Sequence, residues 1–135
     1  MHCRYLLDTN IASYIIKGNV PAVRRHLLRH SMPEIAISSV TEGELCYGVA
    51  RRSDATRLRT VVNEFLLMVT VLPWDSDAAR QYGQLRATLE RKGQPMGSLD
   101  MMIGAHALAS ALILVTNDRA LGRVKELKVQ DWTKP

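Results

Sequence analysis

At 135 residues, with one Phe, two Trp and four Tyr, the chain is long enough for one domain with a real core, and that core must be largely aliphatic. Eighteen Lys and Arg against thirteen Asp and Glu give a net charge of +5, which leans towards a polyanionic partner, although ordinary solvated surface residues give the same balance. Cys3 and Cys46 are too few and too isolated for a disulfide framework or a zinc site, which suggests a reducing cytosol.

The run between Arg4 and Asp8 is too short for the apolar core of a signal peptide. The most apolar stretch, Val61 to Pro73, is interrupted by Asn63 and Glu64 and falls short of the roughly 20 residues of a membrane span.

Tyr5-Leu6-Leu7 stops abruptly at Asp8-Thr9-Asn10 and is followed by helix-compatible Ile11 to Lys17, the pattern of a first strand feeding a helix. Gly18-Asn19 breaks the chain, and Pro21 opens a helix to about Arg29. Ile35-Ala36-Ile37 reads as a second strand closed by Ser38-Ser39, a good start for a helix from Val40 to about Ala50. Asp54 is placed to cap the next helix, where Leu58, Val61, Val62, Phe65 and Leu66 recur at helical spacing.

Val69 to Leu72, bounded by Pro73, reads as a third strand. Trp74-Asp75-Ser76-Asp77 opens a long helix to Arg91, ended by Lys92-Gly93-Gln94-Pro95. Ser98 is expected to cap a helix from Leu99 to Ser110. Ala111 to Thr116 forms a fourth strand, Arg119 to Lys125 a short helix, and Lys128 to Trp132 an edge strand. Strands alternating with helices, without repeat or linker, predict one α/β domain over residues 1–135: a mostly parallel central sheet of four to five strands with helices on both faces.

Open parallel sheets bind ligands outside the carboxyl ends of their strands. Asp8 follows the first strand and Asp118 the fourth, Asp100 lies in the first turn of a helix, and Glu44 lies one turn into another. Each has a plainer role open to it: helix cap for Asp8, solvated residue for Glu44, dipole partner for Asp100, turn residue for Asp118. If the four converge, they repel one another so strongly that they stay ionised together only around a cation. Carboxylate oxygens without His or Cys favour a hard ion, Mg²⁺ or in its place Mn²⁺, over zinc.

Such a site activates water and stabilises an in-line displacement at phosphorus without a side-chain nucleophile. In agreement, the sequence holds no Gly-rich phosphate loop, no Gly-x-Ser-x-Gly elbow and no His-Glu-x-x-His. Gly104 and Ala107 lie on the Asp100 face of their helix and are expected to let it approach the sheet.

Five stretches then fall in one order: Leu6-Leu7-Asp8-Thr9-Asn10, Ser38 to Gly48 with its Glu-Leu-x-Tyr-Gly, the Ala79 to Leu89 helix, Gly97 to Ala107 with Ser-Leu-Asp, and Leu114-Val115-Thr116-Asn117-Asp118. As an ordered set the chain resembles a PIN domain, and more narrowly the VapC toxins of bacterial toxin–antitoxin pairs. The resemblance implies that Asp8, Glu44, Asp100 and Asp118 coordinate metal, leaving Glu42 at the surface. It places Thr116 as a hydroxyl near the site and Asn10 as a polar residue beside the first acid. Leu121 stands where many relatives carry Phe.

It further implies a Mg²⁺-dependent endoribonuclease that cuts structured RNA, often tRNA, is held inactive by a cognate VapB-type antitoxin, and forms a homodimer in the bacterial cytoplasm. Arg24, Arg25 and Arg29 on one helix, and Arg51 and Arg52 after another, become candidates for RNA phosphate contacts. Four of the 13 acids committed to metal would leave 9 facing 18 basic residues, which favours attraction to RNA.

The competing readings are a non-catalytic module of the same fold that binds RNA or protein, and a phosphoryl-accepting domain. The second fits poorly, because no acid stands two residues after Asp8 and no lysine ends the fourth strand. His2, His26, His30 and His106 are read as structural or surface residues, with His26 and His30 sharing one helix face.

Overall fold

A computed structural model of the chain describes residues 2–54 and 56–135. Met1, at the head of the N-terminal run, and Ala55, through which the reading of Asp54 as a helix cap passes, lie outside the described residues. The strands are β1 (Tyr5–Leu7), β2 (Ile35–Ser38), β3 (Thr70–Leu72), β4 (Ile113–Val115) and β5 (Val129–Gln130). The helices are α1 (Thr9–Lys17), α2 (Pro21–Leu28), α3 (Ser39–Ala50), α4 (Thr56–Met68), α5 (Ser76–Arg91), α6 (Ser98–Ser110) and α7 (Arg119–Gly122). The sheet order is β3-β2-β1-β4-β5 and every pairing is parallel, so the expected "mostly parallel" sheet is wholly so among the described residues.

The three central strands are apolar at nearly every position because both of their faces are covered. Tyr5 and Leu7 of β1 point to one face, where Ile35, Ile37 and Val115 join Ile11, Val23, Leu45 and Phe65 from α1 to α4. Leu6, Ala36 and Leu114 point to the other, against Ile103 and Ala107 of α6 and Leu121 of α7. The links from β1 to β2 and from β2 to β3 cover the first face, and the link from β3 back to β4 covers the second. That change of face is what right-handed crossovers require when the direction of winding reverses. The reversal puts β1 beside β4 at a topological switch point, where such a sheet leaves a crevice at its carboxyl edge.

Several boundaries differ from the sequence reading. Gly97 is the cap of α6 and makes no side-chain cap bond, while Ser98 is already helical. The fourth strand begins at Ile113, because Ala111 closes α6 in the left-handed region at φ 55°. That conformation costs an L-residue about 1–2 kcal/mol and is one the sequence pattern assigns to Gly. α7 ends at Gly122 short of Lys125, and the edge strand is only Val129–Gln130. A single 3₁₀ turn, Met32–Glu34, precedes β2, closed by a capping box between Ser31 and Glu34.

The carboxyl-terminal segment is anchored by Trp132, which is fully buried. His26 and His30 stack on its ring at centroid distances of 5.6 and 5.5 Å, and Tyr5 meets it edge-on at 5.4 Å. His26 Nε2 also lies 2.7 Å from the Lys134 carbonyl oxygen. The two histidines therefore hold the chain end, a role beyond that of simple surface residues. Trp132→Ala is expected to cost about 3–5 kcal/mol of stability, read as a lowered urea midpoint. A loss below about 1 kcal/mol would show that the segment is not integral to the core.

Candidate active site at the carboxyl edge of the sheet

Asp8 is tied to two elements at once. Its backbone N–H donates to the Val115 carbonyl of β4 at 3.0 Å, and its Oδ1 accepts from the Ile11 N–H at 2.9 Å, capping α1. The residue is 4% exposed. Burial raises its pKa above the usual carboxylate range; the Thr116 hydroxyl and the Ile11 N–H work against the rise, and the charges of Asp100 and Asp118 add to it. Asp8 is thus both a cap and a member of an acidic group, because the cap bond engages only one of its oxygens.

Asp100 stands in the first turn of α6, half-buried. Its pKa is also raised, first by burial and then by the charges of Asp118 and Glu44. Glu44 is oriented by Thr9, whose Oγ1 donates to Glu44 Oε1 at 2.6 Å and lies 3.1 Å from the buried Thr41 hydroxyl. Asp118 caps α7 through Oδ1, which accepts from the Ala120 N–H at 2.8 Å. Its own N–H donates to Thr116 Oγ1 at 3.0 Å. The fold therefore brings Asp8, Glu44 and Asp100 to one cleft at the switch point, with Asp118 near enough for its charge to act on Asp8 and Asp100.

Asp8, Thr9, Asn10, Glu44, Ser98 and Asp100 line a cleft of about 400 Å³. Asp118 is outside that lining and reaches the group through its charge. Among the described residues no three His, Cys, Asp or Glu side chains already stand together as a cage for a metal ion. Asp8, Glu44 and Asp100 border the cleft without closing on one point. The role of Thr9 is invisible in the sequence, because its bond to Glu44 spans 35 residues; the one available signal is its hydroxyl next to the first acid. Asn10 is exposed on the cleft wall.

The sequence pattern of the PIN domain family matches residues 5–127. The chain is 40% identical over 131 residues to the tRNA(fMet)-specific endonuclease VapC of Shigella flexneri, covering 96% of this chain and 98% of the relative. The chain belongs to the PIN domain family. A second relative, the tRNA(fMet)-specific endonuclease VapC of Salmonella typhimurium, is 38% identical over 130 residues, with coverage of 96% and 98%. The crystal structure of DNA-bound VapBC from Salmonella typhimurium superposes with a TM-score of 0.89 at 36% identity, covering 96% of this chain and 98% of that one. Within the PIN family the chain groups with the VapC ribonucleases.

The PIN fold separates the basic residues that the sequence treats as one set. His30, just beyond α2, packs on Tyr5 at the start of β1, so neighbouring Arg29 lies towards the edge opposite the acids. Arg24 and Arg25 are exposed on the same helix. Arg51 and Arg52 instead border a groove that has Thr9 and Glu44 in its walls.

His106 is buried, with Nδ1 2.8 Å from Ser38 Oγ at the end of β2, and burial lowers its pKa while Asp75 opposes that shift. It pins α6, and so Asp100, to the sheet. Trp74 assists, its Nε1–H donating to the Met102 carbonyl at 2.9 Å.

The shifts carry a sign for stability. A raised native carboxyl takes up its proton before the unfolded one does, so ionised Asp8 and Asp100 cost stability near neutrality. That cost is relieved as the pH falls through their native values towards the ordinary pKa of about 4. His106 acts oppositely: the unfolded chain takes a proton below about pH 6.5 that the buried imidazole resists, so stability is lost as the pH falls through that range. In the metal-free protein Asp100→Asn is therefore expected to raise the urea midpoint at pH 7, with the gain shrinking towards pH 4. A midpoint that falls at pH 7 would show that the ionised carboxylate is not strained.

Proposed function

We propose that the chain is a Mg²⁺-dependent endoribonuclease toxin of a bacterial toxin–antitoxin pair, acting on structured RNA, with tRNA as the substrate class. The observation that carries this reading is the placement of Asp8, Glu44 and Asp100 around one cleft at the switch point of a PIN fold, with the charge of Asp118 acting on Asp8 and Asp100. The donor set fits a hard divalent cation, since the cleft offers carboxylate oxygens and neither His nor Cys. Burial, and after it mutual repulsion, raises the Asp8 and Asp100 carboxyls, and a divalent ion between them would offset both effects. When bound, such an ion acts as a Lewis acid on water and on the scissile phosphate.

The chain's own residues set the rest. Asp8 is fixed by the α1 cap, Glu44 by Thr9, and Asp118 by its bond from the Ala120 N–H, so these carboxylates are held in place before any substrate arrives. Preorganisation of this kind is what in-line displacement demands. Relatives named as tRNA(fMet)-specific endonucleases make initiator tRNA the first substrate to try. The VapBC complex among its structural neighbours supports a VapB-type antitoxin as the partner that silences the enzyme in the cytoplasm. The family resemblance supports a homodimer. Inhibition of translation and growth follows from loss of tRNA.

Cleavage of a total tRNA pool by purified, antitoxin-free protein is expected to give discrete fragments with 5′-phosphate and 3′-hydroxyl ends, abolished by chelation. Asp8→Asn and Asp100→Asn should each reduce the rate by more than about a hundredfold, beyond the loss typical of groups that only orient a ligand. Unchanged cleavage by both folded variants would refute the metal-site assignment, and no cleavage by Mg²⁺-loaded wild type would favour the non-catalytic binding module.

A second readout is independent of activity. Mg²⁺ at about 100 times its Kd should stabilise the wild-type fold by about 2.7 kcal/mol and leave Asp100→Asn nearly unmoved. Equal shifts for the two proteins would place the ion elsewhere.

A further inference from the structure

Three residues beyond Glu44 on α3, one helical turn on, stands Tyr47. Its side chain contributes little to the core, since Tyr47 is 66% exposed, and the Arg51 guanidinium lies over its ring at 5.8 Å from the centroid. Beside the ring runs a groove of about 330 Å³ between α1, α3 and α4. Leu45, Leu58 and Val62 give it apolar walls, and Lys17, Arg51 and Arg52 supply positive charge. The groove and the acid cleft share Thr9 and Glu44, whose hydrogen bond forms the wall between them. A chain lying in the groove therefore reaches the acids without leaving the surface.

Aromatic and apolar surface beside three cations matches a specific kind of nucleic acid. Unpaired nucleotides present base faces that stack on aromatic rings, and phosphates that arginines hold. A duplex keeps its base faces buried in its own stack and has none to offer. A protein helix would meet the three cations only where it carried acidic side chains, whereas RNA brings a phosphate with every nucleotide.

We propose that Tyr47, with Arg51 over its ring, is the stacking platform for an unpaired nucleobase next to the bond to be cut, and that Arg51 and Arg52 hold the adjoining phosphates. The inference rests on the endoribonuclease reading above and narrows its substrate to unpaired segments of a structured RNA. Tyr47 positions the substrate and takes no part in breaking the bond. It acts equally on bound substrate and transition state, so its removal weakens KM and spares kcat.

The test compares wild type, Tyr47→Ala and Tyr47→Phe in two arms. In the first, initial rates of Mg²⁺-dependent cleavage are measured against the concentration of a total tRNA pool. Tyr47→Ala is expected to fold normally, since the residue is exposed. It should raise KM about tenfold, the scale of one lost base stack, while Tyr47→Phe keeps the wild-type KM because the ring and not the hydroxyl does the stacking.

In the second arm, an unstructured RNA of about eight nucleotides carrying 2-aminopurine is titrated into Asp100→Asn protein with Tyr47 intact or changed to Ala; site sizes of this order suit a single-strand groove. Quenching of the fluorescent base is expected only with Tyr47 intact. If wild type cuts RNA and Tyr47→Ala keeps its KM, the platform is overturned and the endoribonuclease reading stands; the groove then belongs to another occupant, such as a protein helix. A Phe variant as impaired as Ala overturns it too, by assigning the effect to the hydroxyl. If wild type does not cut RNA, the endoribonuclease reading falls, and the quenching arm alone upholds or overturns base stacking at Tyr47.

Discussion

The whole carboxyl edge depends on the way Asp8 is held. β1 lies between β2 and β4, the Asp8 backbone is bonded to β4, and one carboxylate oxygen is bonded to the first turn of α1. A buried carboxylate with like charges around it is unfavourable and would relax outward if it could. It cannot, because both the strand and the cap fix it in place. Burial and the neighbouring charges raise the Asp8 carboxyl, and the apolar layers on the two faces of the sheet hold the strand that carries it.

Those layers also set the spacing of the acids. α6 carries Asp100 and α7 carries Asp118, and the two helices meet at Gly104, where a Cβ would lie 3.1 Å from Leu121 Cδ2. The approach expected from small residues on α6 is therefore divided. Ala107 packs in the cluster with Leu6 and Leu114 of the sheet, whereas Gly104 makes room for Leu121, with Leu85 and Leu127 nearby. Leu121 is fully buried, so an aliphatic side chain fills this position. A Cβ at Gly104 would require the end of the Leu121 side chain to give by a few tenths of an ångström.

The helix α3 serves several purposes from one surface. Its N-terminus is capped by Ser38, which also meets His106 of α6, so that β2, α3 and α6 are joined at one hydroxyl. Farther along it presents Glu44 to the acid cleft and Tyr47 and Arg51 to the groove. Packing of Leu45 and Val49 in the core fixes the rotation of the helix, and rotation decides which of these residues face which cavity.

Hydrophobic runs, turn residues and helical periodicity are local properties, and they specified the order of the strands and main helices, the α/β class and the four acids in their places along the chain. Glu44 was separable from Glu42 by its place beside the apolar stripe of Leu45 and Val49 and by the motif Glu-Leu-x-Tyr-Gly. Tertiary structure decided what depends on distant partners. It put β1 beside β4, oriented Glu44 through Thr9, turned His26 and His30 onto Trp132, and moved Arg51 and Arg52 to the cleft side while Arg29 went towards the other edge. The physical reason is range: a propensity or a cap is determined within about one helical turn, whereas a shared cavity or a raised carboxyl exists only after segments far apart in sequence have been packed together.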